Sequence, residues 1–298
     1  MSSRTLTPTA DELARLQEAV IVWFGRESRD LPWRRDASPW AVMVSEFMLQ
    51  QTPVSRVLPV FEAWMKRWPT PAELANASTG DAVRAWGRLG YPRRALRLHA
   101  AATEIVAAHG GRVPDSHEQL LALPGIGEYT AAAIASFAFH QRHAVLDTNV
   151  RRVFARIVSG EQFPAPTLTA SERELAGSLL PERDAHRWAA ATMELGALIC
   201  TARAPLCDAC PVAERCSWRT AGYPAYDGPP RRGQAWTGTD RQCRGRLMAV
   251  LRDSPRPVPK VQLDLVWPDA LQRERALDGL VADGLVEPLA DDLYRLPE

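Results

Sequence analysis

An all-α body followed by a small mixed module is the fold class that this sequence predicts, and three observations predict it. Apolar residues recur at helical spacing through the first three quarters of the chain. No alternating strand pattern precedes residue 220. A stretch rich in Gly, Pro and Thr, residues 222–240, then separates that body from a pattern of three helices and one hairpin.

The elements follow in order. Leu13, Leu16, Val20 and Phe24 predict a helix over 11–26, and Pro32 and Pro39 break the chain around Leu31-Pro-Trp-Arg. A second helix over 40–51 ends at Thr52-Pro53. Helices over 55–67, 72–76, 82–88, 93–109 and 116–122 are separated by Pro, Gly or polar turns, and 129–139, 149–158, 171–180 and 185–199 complete the helical body. Beyond the linker, 241–251 and 260–266 read as helices, and 268–283 as a third with Ala276, Leu277 and Leu280 inward. Residues 285–296 read as a hairpin around Ala290-Asp-Asp. Three helices and a hairpin suggest a winged-helix-like module. A packing appendage without DNA contacts fits the pattern equally well.

The 298 residues have room for more than one domain. Lys+Arg number 36 and Asp+Glu 35, so the net charge of +1 announces no nucleic-acid partner, although a neutral total can hide a basic face. Lys66 and Lys260 are the only lysines. No apolar run is long enough to span a bilayer, and residues 1–10 lack a signal-peptide core, so no membrane partner and a cytoplasmic location are expected.

Four of the five cysteines form a C-x6-C-x2-C-x5-C pattern: Cys200, Cys207, Cys210 and Cys216. Clustered cysteines in a cytosolic chain suggest a metal group rather than disulfides. A compact loop can wrap four thiolates around one [4Fe–4S] cube, whereas structural zinc usually takes two close pairs set further apart. Cys243 stands apart and reads as a bystander.

Leu123-Pro-Gly-Ile-Gly-Glu-Tyr-Thr-Ala joins two helical patterns, and Gly125 and Gly127 permit a tight turn and close backbone approach. The amides that open the next helix suit a phosphate. About twenty residues on, Asp147 precedes a helix in Leu146-Asp-Thr-Asn-Val-Arg-Arg-Val. It reads as an N-cap or, placed just beyond such a hairpin, as a catalytic carboxylate. Glu46 lies on an apolar helix with Val42, Phe47 and Leu49, where desolvation would raise its pKa toward that of a general acid. A buried glutamate paired with an arginine is the other reading.

These strings together resemble the helix-hairpin-helix DNA glycosylase superfamily that includes endonuclease III. Within it, LPWR (31–34), VSEFMLQQT (44–52), LGYPRRA (89–95) and MELGALIC (193–200) resemble the adenine glycosylases of the MutY type, in a short actinobacterial form. The resemblance runs from about Leu31 to Cys216. It implies two lobes: an iron–sulfur lobe over 11–39 and 144–218, and a six-helix lobe with the hairpin over 40–143. A linker over 219–240 and the module over 241–298 follow. It also implies excision of adenine opposite 8-oxoguanine or guanine in double-stranded DNA by base flipping, with the chain acting as a monomer. Glu46 would protonate adenine N7 and Asp147 would stabilise the oxocarbenium ion, with Tyr129 and Asn149 positioning them. Gln50 and Gln51 would meet the base opposite the target and Tyr91 would wedge into the stack. Trp33 and Arg34 would line the adenine pocket, and the [4Fe–4S] cluster would order a DNA-contacting surface.

Tyr129 stands where bifunctional relatives carry a nucleophilic lysine, so base release without efficient strand cleavage is expected. The chain departs from the family pattern at Thr148, where glycine is commoner, and at Ala190, where many members carry Gln or Glu. It also lacks room for the larger C-terminal domain of many members. A mismatch uracil/thymine glycosylase of the same superfamily is the first rival reading. A DNA-binding iron–sulfur regulator that uses the C-terminal module is the second, and it leaves Glu46 and Asp147 without a task.

Overall fold

The computed structural model describes residues 9–35, 37–229 and 236–298. In chain order the helices are α1 (Ala10–Glu27), α2 (Pro39–Leu49), α3 (Val54–Arg67), α4 (Pro71–Ala75), α5 (Thr79–Trp86) and α6 (Arg93–His109). Then come α7 (His117–Ala122), α8 (Glu128–Phe139), α9 (Thr148–Phe154), α10 (Ala170–Ser178), α11 (Ala185–Leu198) and α12 (Ser217–Thr220). The C-terminal part holds α13 (Asp240–Asp253), β1 (Val258–Pro259), α14 (Lys260–Asp264), α15 (Ala270–Ala282), β2 (Glu287–Leu289) and β3 (Leu293–Arg295). The predicted all-α body with a small module is therefore the observed class. Among the described residues no helix is long and apolar enough to cross a membrane.

Local chemistry sets many of the boundaries. Thr9 and Glu12, and likewise Thr169 and Glu172, form reciprocal capping boxes that start α1 and α10. The α6 helix follows Pro92 and stops where Gly110 takes a left-handed φ of +59°. The predicted helix 149–158 is α9 continued by a π turn over Ala155–Ser159.

The chain divides into two compact units. The first comprises Met1–Pro39, Asp115–Leu121 and Ile126–Pro230, and the second Trp40–Pro114, Ala122–Gly125 and Arg231–Glu298. In the first, Leu16, Val20 and Trp23 of α1 pack with Val153 and Phe154 of α9 and with Trp188 and Leu195 of α11. Because α8 packs on α11, α8 falls with this unit rather than with the 40–143 segment expected from sequence.

In the second unit α2 is apolar almost all round and buried, and Trp64 meets Trp68 and Trp86 edge-on at 4.6 and 5.6 Å. The C-terminal module belongs to this unit. Its helices α13 and α15 pack together, and it holds a three-stranded sheet of order β1-β3-β2, with Val258 opposite Tyr294 and Leu289 opposite Leu293. The expected hairpin is β2–β3, turned by Asp291 and Asp292 at positive φ. Strand β1 escaped the sequence because two residues show no alternation. The module docks on α5, where Arg84 donates to the Ser254 carbonyl at 2.9 Å. A Cβ at Gly80 would come within 2.3 Å of the Pro297 carbonyl oxygen, so this contact requires glycine. The linker expected over 219–240 is shorter at both ends: Arg219 and Thr220 close α12, and Asp240 opens α13. Part of it, 230–235, lies outside the described residues.

Candidate functional site

In the first unit Asp147 is the N-cap of α9. Its Oδ1 accepts from the Val150 amide at 2.7 Å and its Oδ2 from Asn149 Nδ2 at 2.9 Å. Burial pushes its pKa above the usual carboxylate value, against those two donors and the nearby Arg152, which pull it down. Asn149 is fixed from behind, because Arg152 Nη2 donates to its Oδ1 at 2.8 Å. The same guanidinium reaches the Gly196 carbonyl at 2.7 Å and the Cys200 carbonyl at 2.8 Å. A side chain at 196 would place Cβ 2.7 Å from Asn149 Cβ, so glycine lets α11 approach α9 this closely. Arg152 thus ties the Asp147–Asn149 pair to the first residue of the cysteine pattern. Neither Arg152 nor Gly196 stood out in the sequence beyond its place in a motif.

Cys200, Cys207, Cys210 and Cys216 all pack against the core of this unit, and none forms a disulfide. Burial pushes the Cys210 thiol up to about 11, and its three neighbours Cys200, Cys216 and Cys207 add to the rise. Burial likewise raises Cys216, with Cys200 and Cys207 contributing. Four crowded thiolates need a cationic centre to share, and an iron–sulfur core supplies one. Arg156, 1% exposed in the π turn, donates to Cys200 Sγ at 3.3 Å and to the Thr201 carbonyl at 2.8 Å. The donor set and this second layer fit a cluster.

The hairpin joins α7 to α8. Gly125 has φ +79°, and a Cβ there would lie 2.6 Å from Arg97 Cβ. Gly127 caps α8 in an extended conformation with open space where a Cβ would stand. Its neighbour Tyr129 packs, half-buried, with Ala133, Val145 and Ala189. Ala190 lies next along α11.

In the second unit Glu46 is 5% exposed on α2, as its apolar neighbours predict. Gln50 and Gln51 lie just past this helix rather than on it, with Gln51 at φ +53°. The cause is Arg94. Its Nη1 donates to the carbonyls of Phe47, Met48 and Gln50 at 2.9, 3.0 and 2.6 Å. Its Nη2 reaches Thr52 Oγ1 at 2.9 Å and the Gly90 carbonyl at 3.0 Å. One guanidinium therefore closes α2 and ties Gln50 to the turn that presents Tyr91, which is exposed at φ +48°. Burial brings Arg94 down to about 10. Sequence reasoning missed this residue, although it stands inside the LGYPRRA string.

Trp33 is 8% exposed in the first unit. Arg34 and Arg29 pair with Glu194 of α11, at 3.0 and 2.6 Å, and the Glu194 side chain is fully buried. Burial alone would raise Glu194, but hydrogen bonds from the two arginines outweigh it and hold the carboxyl at about 2, from an ordinary 4.5. Glu194→Gln should therefore destabilise the protein by about 2–3 kcal/mol at pH 7, the usual cost of breaking a buried pair reduced for the partly exposed arginines. The stabilisation is complete above about pH 4.5 and is lost as pH falls through 2, so parent and variant should converge in acid melts. A gap that widened on acidification would contradict it.

Residues 44–177 match the HhH-GPD superfamily of base excision DNA repair proteins, and residues 200–216 match the iron–sulfur binding domain of endonuclease III. Adenine DNA glycosylases of Mycobacterium tuberculosis and Mycolicibacterium smegmatis are 54% and 52% identical to this chain, each over 93% of it and over 92% and 94% of their own lengths. A match of that extent cannot leave out the C-terminal module. The Homo sapiens adenine DNA glycosylase is 40% identical over 74% of this chain and 42% of its own length. Among solved structures, a thermostable thymine-DNA glycosylase superposes with a TM-score of 0.64 at 25% identity, covering 70% of this chain and 97% of that one. An endonuclease III–DNA complex follows at 0.62 and 18%, covering 72% and 99%. The cysteine segment is thus the seat of a [4Fe–4S] cluster. With 54% identity over 93% of its length to a mycobacterial adenine DNA glycosylase, the chain belongs to the adenine DNA glycosylase family of the HhH-GPD superfamily.

Proposed function

We propose that this protein binds duplex DNA and hydrolyses the N-glycosidic bond of adenine mispaired with 8-oxoguanine or guanine, after flipping the adenine out of the stack. The observation that carries this reading is the 54% identity to an adenine DNA glycosylase over 93% of the chain. The C1′–N bond breaks readily only if the base leaves protonated and the sugar's positive charge is met. Glu46, on the buried helix α2, is the proton donor to adenine N7. Asp147 is the anion for the oxocarbenium ion. Its carboxylate is oriented by Val150 and Asn149, and burial makes its charge costly until a cation forms beside it. Tyr129 and Asn149 position these groups, Gln50, Gln51 and Tyr91 engage the duplex at the opposite base, and Trp33 and Arg34 flank the adenine. Gly125 and Gly127 bring the backbone to a phosphate. Cys200, Cys207, Cys210 and Cys216 hold the cluster, which supplies a rigid brace for the loop and no bond-breaking step.

No lysine is placed for a Schiff base. Lys66 ends α3, and Lys260 is paired with Asp264 and Glu274 at 3.0 and 2.6 Å, which raises its pKa and keeps it protonated. The test is a single-turnover panel of A:8-oxoG, A:G, T:G and U:G duplexes, with borohydride added in parallel. Adenine release from the first two without trapping is expected. Release of thymine but not adenine would overturn the substrate assignment and favour the mismatch reading, to which Ala190 and a 32% identical thymine-DNA glycosylase of Aeropyrum pernix lend some support.

A further inference from the structure

The second unit contains an open cleft of about 1100 Å³ with a marked charge bias. One wall is α13, with Arg241, Arg246 and Arg252. The other is the segment around Tyr91, with Arg88 and Arg97, and Arg56 of α3 also lines the cleft. Arg93, Arg94 and Arg244 bring the lining, among the described residues, to nine arginines against a single carboxylate, Asp283. Asp283 is already engaged by both Arg93, at 3.1 Å, and Arg244. In a chain of net charge +1 this concentration of one sign is not compositional drift. Burial pulls Arg252 below the ordinary arginine value, and Arg88 adds to the fall against the opposing charge of Asp253.

Two aromatic rings stand in the same cleft. Tyr91 and Trp236 are 41% and 51% exposed, and Arg241 lies over both, at 4.7 and 5.4 Å from their centroids. Arginines interleaved with exposed rings suit a nucleic-acid strand, whose phosphates take the charge and whose bases or sugars take the rings. The volume exceeds that of a small-ligand pocket, about 300–1,000 Å³, and the cleft is open, so the occupant is extended.

On α15 of the module, Arg273 is paired with Asp264 and Arg275 with Asp240, both at 2.9 Å. Its positive charge is spent internally, whereas the arginines of α13 face the cleft. We propose that α13 and the facing Arg88–Arg97 segment form a cleft that binds the backbone phosphates of duplex DNA, so that the C-terminal module is part of the DNA interface and not a packing appendage. The inference deepens the base-excision reading and rests on it, since Gln50, Gln51 and Tyr91 line the same cleft.

Backbone contacts release counterions, and log Kobs falls with log[salt] by about 0.9 per phosphate neutralised. The test measures affinity for an undamaged duplex across a salt series, together with the single-turnover rate of base release at saturating enzyme. Arg241→Ala/Arg246→Ala, exposed positions on one wall, should flatten the slope by about two and weaken binding at least tenfold at low salt. Arg88→Ala on the other wall should flatten it by about one. Arg112→Ala, exposed and outside the cleft, controls for loss of charge alone and should leave the slope unchanged. A slope unchanged in both cleft variants, with their melting curves intact, overturns the proposal whatever the rate of base release. A flattened slope in an enzyme that releases no adenine would sink the substrate reading and leave the cleft standing. Equal losses in the Arg112 control would mean diffuse attraction and would also overturn it.

Discussion

Asp147→Asn should lose base release by at least about 10²–10³-fold, the usual cost of removing one preorganised group aimed at transition-state charge, while the fold survives. The survival half of that expectation is specific. Asn is as good an N-cap as Asp, so the bond from the Val150 amide at 2.7 Å can be kept. The bond from Asn149 Nδ2 cannot be kept as it is, because Arg152 pins the other end of the Asn149 amide. Against that loss stands a gain, since the burial cost of the ionised carboxyl disappears. The folded-state pKa of Asp147 is raised, so the parent protein is penalised above that pKa and not below the ordinary carboxylate range. The Asn variant should therefore gain relative stability as pH rises from about 4 toward 7. Single-turnover excision and thermal melts over that range read both halves. Base release within tenfold of the parent would reduce Asp147 to a helix cap. A large stability loss at pH 7 would mean that its charge is structural.

The elements whose boundaries rest on local chemistry were legible in the sequence. The 93–109 helix is found as read, bracketed by Pro92 and Gly110. Burial of Glu46 followed from its apolar neighbours, and the inward face of α15 from helical periodicity. Long-range geometry was not legible. Arg152 and Arg156 reach the Cys200 segment across more than forty residues, and nothing local marks an arginine as a buried donor rather than a solvated charge. The grouping of α8 with α11, and of the C-terminal module with α5 and α6, is a packing outcome that periodicity cannot rank. Asp147 shows the sharpest limit. The sequence offers cap and catalytic carboxylate as alternatives, whereas the structure makes Asp147 a cap, and that capping orients the carboxylate for the proposed chemistry. The basic cleft escaped the whole-chain charge for a related reason. Arginines from residues 56 to 252 meet only on folding, while the ion pairs of α15 cancel elsewhere.

Replacing Arg94 by Met should cost about 3–5 kcal/mol of stability, among the largest effects available to a single substitution here. Two opposed terms decide it. Burying the guanidinium without a carboxylate is unfavourable, and a pKa brought down to about 10 corresponds to roughly 3 kcal/mol at 1.36 per unit. Met would recover that amount. It would also strip Arg94's donors from the carbonyls of Phe47, Met48 and Gln50 and from Thr52 Oγ1, while the Gly90 carbonyl keeps Trp86 Nε1 at 3.1 Å and the Gln50 carbonyl keeps Thr52 Oγ1 at 3.2 Å. Hydrogen bonds to a charged donor contribute about 1.5–3 kcal/mol each, and the four N–H bonds of Nη1 and Nη2, shared among five acceptors, together outweigh the desolvation. Lys should rescue little, because one ammonium with three donors on a flexible stem cannot span acceptors that a planar fork reaches from two nitrogens. Function should fail in a particular way in Arg94→Lys. Gln50 and the Tyr91 turn would loosen, so affinity for the duplex should fall while the single-turnover rate at saturation stays closer to the parent's. Urea melts and binding isotherms on the same preparations separate the two. A Met variant within 1 kcal/mol of the parent would show that water already serves those carbonyls, and that Arg94 is not what closes the Glu46 helix.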